Sequence, residues 1–185
     1  MAEAFTNKLV RAAGIVSTTD STAAIGANAT AITNIQTANL HVGDLVVNQN
    51  FRAGAKIRTI TNSSSVVVDR ASTNTSATTS QIVKFLGVTT AFTSSGTEKS
   101  ILIGGTFANL TENDINISVE IFDNSAVGTA NSTSLLASDI PIPSGSSFVI
   151  SEAGKTVLEQ NDQVKIYCDT ANAVDVTLAI LSGVS

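Results

Sequence analysis

"INISVEIFD", residues 115–123, alternates apolar and polar side chains: Ile115, Ile117, Val119 and Ile121 fall on one face, Asn116, Ser118 and Glu120 on the other. A period of two belongs to a half-buried β-strand, because successive side chains leave a strand on opposite sides. Working outward, "VKIYCDT" (164–170) places Val164, Ile166 and Cys168 inward against Lys165, Tyr167 and Asp169, and "AVDVTLAILSGV" (173–184) places Val174, Val176, Leu178 and Ile180 inward. Between them lie "KSILIGGTFANL", "SLLASDIPIP" and "SSFVIS", each bounded by Gly, Asn, Ser or Pro. Short strands at this spacing predict an antiparallel β-sandwich, jelly-roll or Ig-like, over residues 89–185. Pro141 and Pro143 bracket Ile142, and a strand with two prolines belongs at a sheet edge because proline cannot donate to the ladder.

The upstream half is patterned differently but is also all-β. Apolar clusters at Ile25, Ile32, Ile35 and Leu40 lead into Leu45-Val46-Val47, and a helical period is not sustained anywhere. In "GAKIRTIT", Ala55, Ile57 and Thr59 alternate with Lys56, Arg58 and Ile60; Asn62-Ser63-Ser64 then turns the chain into "SVVVDR", which reads as a hairpin. "STNTSATTS" is too polar for a core. The small, polar stretch "LGVTTAFTSSGTE" (86–98) reads as the linker, so residues 1–88 are expected to form an N-terminal β module and residues 89–185 the sandwich. "MAEAFTNKLVRAAGIV" is expected to be a docking arm or loose tail that orders on a partner.

Composition bounds the rest. The 185 residues are 43% hydrophobic, enough for a sizeable core, yet only 14% charged and 4% aromatic, so hydroxyls and amides must clothe the surface. One cysteine excludes an internal disulfide framework. The N-terminus has no positive run followed by a long apolar stretch, and no segment is apolar enough to span a bilayer, so synthesis in a cytoplasm without export is expected, with no membrane partner. Net charge is -5, but residues 1–88 carry seven basic and four acidic side chains (+3) and residues 89–185 three basic and eleven acidic (-8). Opposite halves either guide copies into a head-to-tail array or mark two independently solvated modules. The candidate contacts are Arg52, Lys56 and Arg58 against Glu112, Asp114 and Asp123. The basic charges are sparse and lack an aromatic stacking platform, which argues against nucleic acid.

Two stretches carry a resemblance. Val42-Gly43-Asp44-Leu45-Val46, Ala53-Gly54-Ala55-Lys56-Ile57, Thr59-Ile60 and Val66-Val67-Val68, with Ala71, Thr73 and Thr75, resemble a small β module of tailed-phage fibre and other virion proteins. From "TAFTSSGTEKSILIGGTFANLT" onward the chain is similar to small β-sandwich virion proteins of marine and cyanobacterial tailed phages, most recognisably at Leu158-Glu159-Gln160-Asn161-Asp162-Gln163-Val164. In that family a Gly often precedes the Asp; here Asn161 does, and Asn tolerates the left-handed conformation. The resemblance implies a virion structural protein of a tailed phage, made in the host cytoplasm: a homo-oligomeric capsid decoration, cement, neck or tail component that contacts copies of itself and other virion proteins.

Groups for chemistry are few. His41 is the only histidine and stands at a strand entry; without a nucleophile elbow it reads as a surface or hydrogen-bonded residue. Cys168 reads as a small buried hydrophobe. "TENDIN" and "FDNSAVG" are turns rather than calcium loops, which need about six to eight oxygens at ligand spacing. Gly104-Gly105 reads as a bulge or close backbone approach, since a dinucleotide site needs a third glycine and a helix. No catalytic residue, metal ligand or cofactor is therefore expected, and the chain is not expected to be an enzyme. The alternative class is a receptor- or glycan-binding adhesin or fibre module. Sugar sites commonly stack on Trp or Tyr, and only Tyr167, expected to face outward, could serve.

Overall fold

A computed structural model of the chain describes residues 3–124, 132–151 and 155–184. The fold is all-β, with fifteen strands and no helix among the described residues. Cα packing divides it into two units: residues 15–88, and residues 1–14 together with 89–185. The second unit is thus interrupted by the first, and the chain crosses between them at 14/15 and at 88/89.

The discontinuous unit is a sandwich of two antiparallel sheets. One contains β1 (Ala4–Ala13), β15 (Val174–Val184), β9 (Lys99–Asn109) and β12 (Ser147–Ile150) in that order, with β13 (Thr156–Leu158) also on β9; the other runs β11 (Ser132–Ile142), β10 (Ile115–Asp123), β14 (Gln163–Cys168), β8 (Thr89–Thr93). Their facing sides merge into one core. Leu102, Phe107, Val174, Val176, Leu178 and Ile180 come from the first sheet, and Ile115, Ile117, Val119, Val164, Ile166 and Cys168 from the second. All but Leu102 and Phe107 are positions the alternation puts inward. Burying such side chains is worth about 1.5–3 kcal/mol for each large aliphatic. β11, with Pro141, lies at an edge.

Three expectations need correction in this unit. Residues 4–13 are not an arm awaiting a partner: β1 is a strand on β15, in register from Ala4↔Ser182 to Val10↔Val176. The reading of residues 1–88 as one module therefore fails at its start, because the ladder partner lies at the other end of the chain and leaves no local trace. Nor is 86–98 a linker, since Thr89–Thr93 pair with β14. Finally, β10 and β14 are buried on both faces, not half-buried. Ser118 and Glu120 are buried, and Tyr167, 1% exposed, donates its hydroxyl to Glu120 Oε1 at 3.2 Å. Two register shifts in β11 accompany this second layer, in which Ser118 Oγ accepts the Asp139 N–H at 2.9 Å.

Residues 15–88 form one six-stranded antiparallel sheet. Its order is β4 (Leu45–Val47), β7 (Thr78–Gly87), β2 (Ile15–Ile25), β3 (Ala31–Thr33), β6 (Ser65–Val68), β5 (Ile57–Asn62). Its two outer strands meet. Gly43 N–H donates to Ile57 O at 2.9 Å, Ile57 N–H to Asp44 O at 3.0 Å and Val46 N–H to Ala55 O at 2.8 Å, with a bridge between Leu45 and Lys56. This seam closes the sheet into a small barrel around Ile25, Ile32, Val66, Val68, Val83 and Phe85. Closure leaves no free edge at that seam. The alternation expected for "GAKIRTIT" holds at Ala55 and Ile57 but then inverts. A register shift between Ile57 and Thr59 leaves Thr59 exposed, while Ile60 packs on the core.

Candidate interaction surface

Two buried aspartates act as braces for backbone N–H groups at turns. Leu40-His41-Val42-Gly43-Asp44-Leu45-Val46 in the barrel and Leu158-Glu159-Gln160-Asn161-Asp162-Gln163-Val164 in the sandwich share one design. In both, the Asp is buried, its carboxylate accepts the N–H three residues earlier at 2.9 Å, and its own N–H donates back to that residue's carbonyl. The preceding residue is left-handed in each case: Gly43 at φ 96° and Asn161 at φ 66°. Leu40, Val46, Leu158 and Val164 anchor the turns in their cores. Asp162 also accepts the Asn124 N–H at 3.0 Å. This echo was readable from spacing alone and was missed.

Asp20 is the most heavily braced carboxylate in the barrel. It accepts the Thr22 N–H and hydroxyl, both at 2.8 Å, and the Gln36 N–H at 3.0 Å. Burial works against its charged form, but the three donors together outweigh burial and hold the carboxyl below the usual carboxylate range. His41 is exposed, with its Nδ1 4.0 Å from Asp44 Oδ2. Cys168 is buried. Among the described residues no cluster of three His, Cys, Asp or Glu could hold a metal ion. Tyr167 is not on the surface, which removes the one ring considered for stacking a sugar.

The expected contact residues are scattered. Arg52 is exposed and shares an open groove of about 490 Å³ with Arg70, Asn28 and Thr73, and Arg70 donates to Ala53 O at 3.1 Å. Lys56 is half-buried, its N–H held by Asp69 Oδ1 at 2.9 Å, and Arg58 is exposed on β5. Glu112 and Asp114 stand together in the turn before β10, where Asp114 accepts the Ser144 N–H. Asp123 ends β10, nine residues of strand away. The rest of "FDNSAVG" beyond Asn124 lies outside the described residues. Divided by structural unit, the charge is five basic against three acidic residues in 15–88 (+2), and five against twelve in the remainder (-7).

A surface that sequence reading did not single out lies on the outer face of the first sheet. Two register rows cross four strands there: Phe5–Leu181–Ile101–Val157, and Leu9–Thr177–Thr106–Val149. Phe5 is 77% and Leu9 70% exposed, the two most exposed large hydrophobic residues described, with Val149 and Val157 also exposed. Neither row contains a charge. Exposed apolar side chains that form a continuous patch, unlike scattered ones, mark association surfaces. The signal was present in "EAFTNKLVR", where Glu3, Phe5, Asn7, Leu9 and Arg11 fall at every second position.

No family model matches the chain, and no curated protein matches it either.

Proposed function

We propose that this chain is a non-enzymatic structural protein of a tailed-phage particle: a homo-oligomeric decoration, cement, neck or tail component whose work is to be held by copies of itself and by other virion proteins. The observation that carries the association is the pair of uncharged rows on the outer face of the first sheet, where the Phe5 and Leu9 rows offer apolar and hydroxyl side chains to a neighbour. The virion setting is supported by the resemblance at Leu158–Val164 and Val42–Val68. The braced carboxylates fit this reading, since Asp20, Asp44 and Asp162 are occupied in holding turns. In such an assembly the sandwich docks through its sheet face, and the barrel is the second element available to a neighbour.

Quantitative mass spectrometry of purified particles tests it. A copy number on the scale of a shell assigns decoration or cement, and that of a single ring assigns the neck or tail. Absence from particles, together with binding of the isolated chain to host envelope or glycans, would replace this reading with an adhesin.

A further inference from the structure

The sheet edges differ in how they are protected against pairing. The barrel joins its outer strands at a seam. In the sandwich, β8, β12 and β13 are short, and β11 carries Pro141 and two register shifts. Short strands, prolines and bulges are the usual devices that keep an edge from templating another chain. β1 has ten residues and no proline, and its register is unbroken from Ala4 to Val10, with one shift only beyond, between Val10 and Ala13; among the described residues no strand pairs with its other side. It also bears Phe5 and Leu9.

We propose that β1 pairs antiparallel with β1 of a second copy about a two-fold axis through Asn7. Each strand residue points its N–H and C=O to the same side, so a two-fold pair can only match residues whose numbers sum to an even value. With Asn7 on the axis, Phe5 faces the second copy's Leu9, Thr6 its Lys8, Ala4 its Val10 and Glu3 its Arg11, and each match occurs twice. Moving the axis to Lys8 sets like charges opposite each other and Phe5 against Arg11. Moving it to Thr6 sets Glu3 against Leu9. Only the Asn7 register combines opposite charges with an aromatic–aliphatic pair, the combinations that stabilise directly opposed strand residues. The same register continues the outer row across both copies: Val157, Ile101, Leu181 and Phe5 of one, then Leu9, Thr177, Thr106 and Val149 of the other. The contact is isologous and therefore closes at two copies.

This inference deepens the assembly reading by naming its first contact, and disulfide trapping in the full chain tests it separately. Across an antiparallel pair, opposed Cα atoms lie about 4.5–5.5 Å apart, within disulfide reach. Asn7→Cys should give a covalent dimer on mild oxidation and Phe5→Cys should not, since Phe5 faces Leu9 and not itself. Both positions are exposed, so folding is preserved, and Cys168 is buried. Sedimentation should show a dimer weakened about tenfold by Glu3→Lys or by Arg11→Glu and restored by the two together. A chain that remains monomeric, or cross-linking with no preference for position 7, overturns the proposal. A chain found in particles that fails this test loses only the interface; a chain that dimerises at position 7 yet is absent from particles loses only the virion reading.

Discussion

Replacing Asp162 by Ala should cost the sandwich about twice what replacing Asp44 by Ala costs the barrel. The two turns are alike in the N–H donated from three positions back, in the left-handed conformation before the Asp and in the buried flanking Leu and Val. They differ in the number of donors: the Asp44 carboxylate accepts one backbone N–H, from His41, whereas Asp162 accepts two, from Glu159 and Asn124. A hydrogen bond to a charged group contributes about 1.5–3 kcal/mol, and the lower end applies because these donors are only partly buried. The expected losses are therefore about 1.5 kcal/mol for Asp44→Ala and about 3 kcal/mol for Asp162→Ala. At about 4 °C per kcal/mol for a domain of this size, the second should be plain in a thermal scan. Hydrogen exchange read by mass spectrometry on peptides of each unit assigns each loss to its own unit. Asp162→Asn retains one acceptor oxygen and should fall between wild type and Asp162→Ala. Equal losses at the two sites, or a loss at Asp162 below that at Asp44, would refute the argument that the count of braced N–H groups sets the difference.

Two further outcomes follow from single sites. Because the Asp20 carboxyl is held below its unfolded value of about 3.9, its contribution is fully present above that pH and is lost as pH falls through the depressed folded value. The stability gap between wild type and Asp20→Asn, measured by urea unfolding from neutral pH downward, should therefore be constant above about pH 5 and narrow as the medium becomes more acidic; a gap that widens on acidification would show the reverse sign. Gly105→Ala should destabilise the sandwich by about 1–3 kcal/mol, the usual range for overpacking. A Cβ there would stand 2.8 Å from Leu178 Cδ2 and 3.4 Å from Phe107, and an unchanged urea midpoint would mean that the Leu178 side chain yields freely.

Alternation alone marked the inward residues of β10, β14 and β15 and the edge position of the Pro141 strand, because each depends on side-chain direction along one strand and on proline's missing N–H. Local chemistry also marked the hairpin turn at Asn62–Ser64, where Asn62 Oδ1 accepts the Ser64 N–H at 2.8 Å. Where a ladder or a covering layer comes from elsewhere in the chain, such reasoning stops. Tyr167 and Glu120 read as solvent-facing, yet each is about 1% exposed. Thr59 and Ile60 exchanged faces because one extra residue in β5 between Ile57 and Thr59 turns the side chains that follow by half a period, up to a second shift between Ile60 and Asn62.

The strand character of nearly every segment, the core positions and the scarcity of reactive groups belong to the sequence itself, since they rest on residue type and period. The pairing of Ala4 with Ser182, the barrel seam between Gly43 and Ile57 and the exposure of Phe5 and Leu9 belong to the tertiary structure. A strand's local pattern says which faces are apolar, but not which distant backbone will take its hydrogen bonds, and only that choice leaves β1 at an open edge.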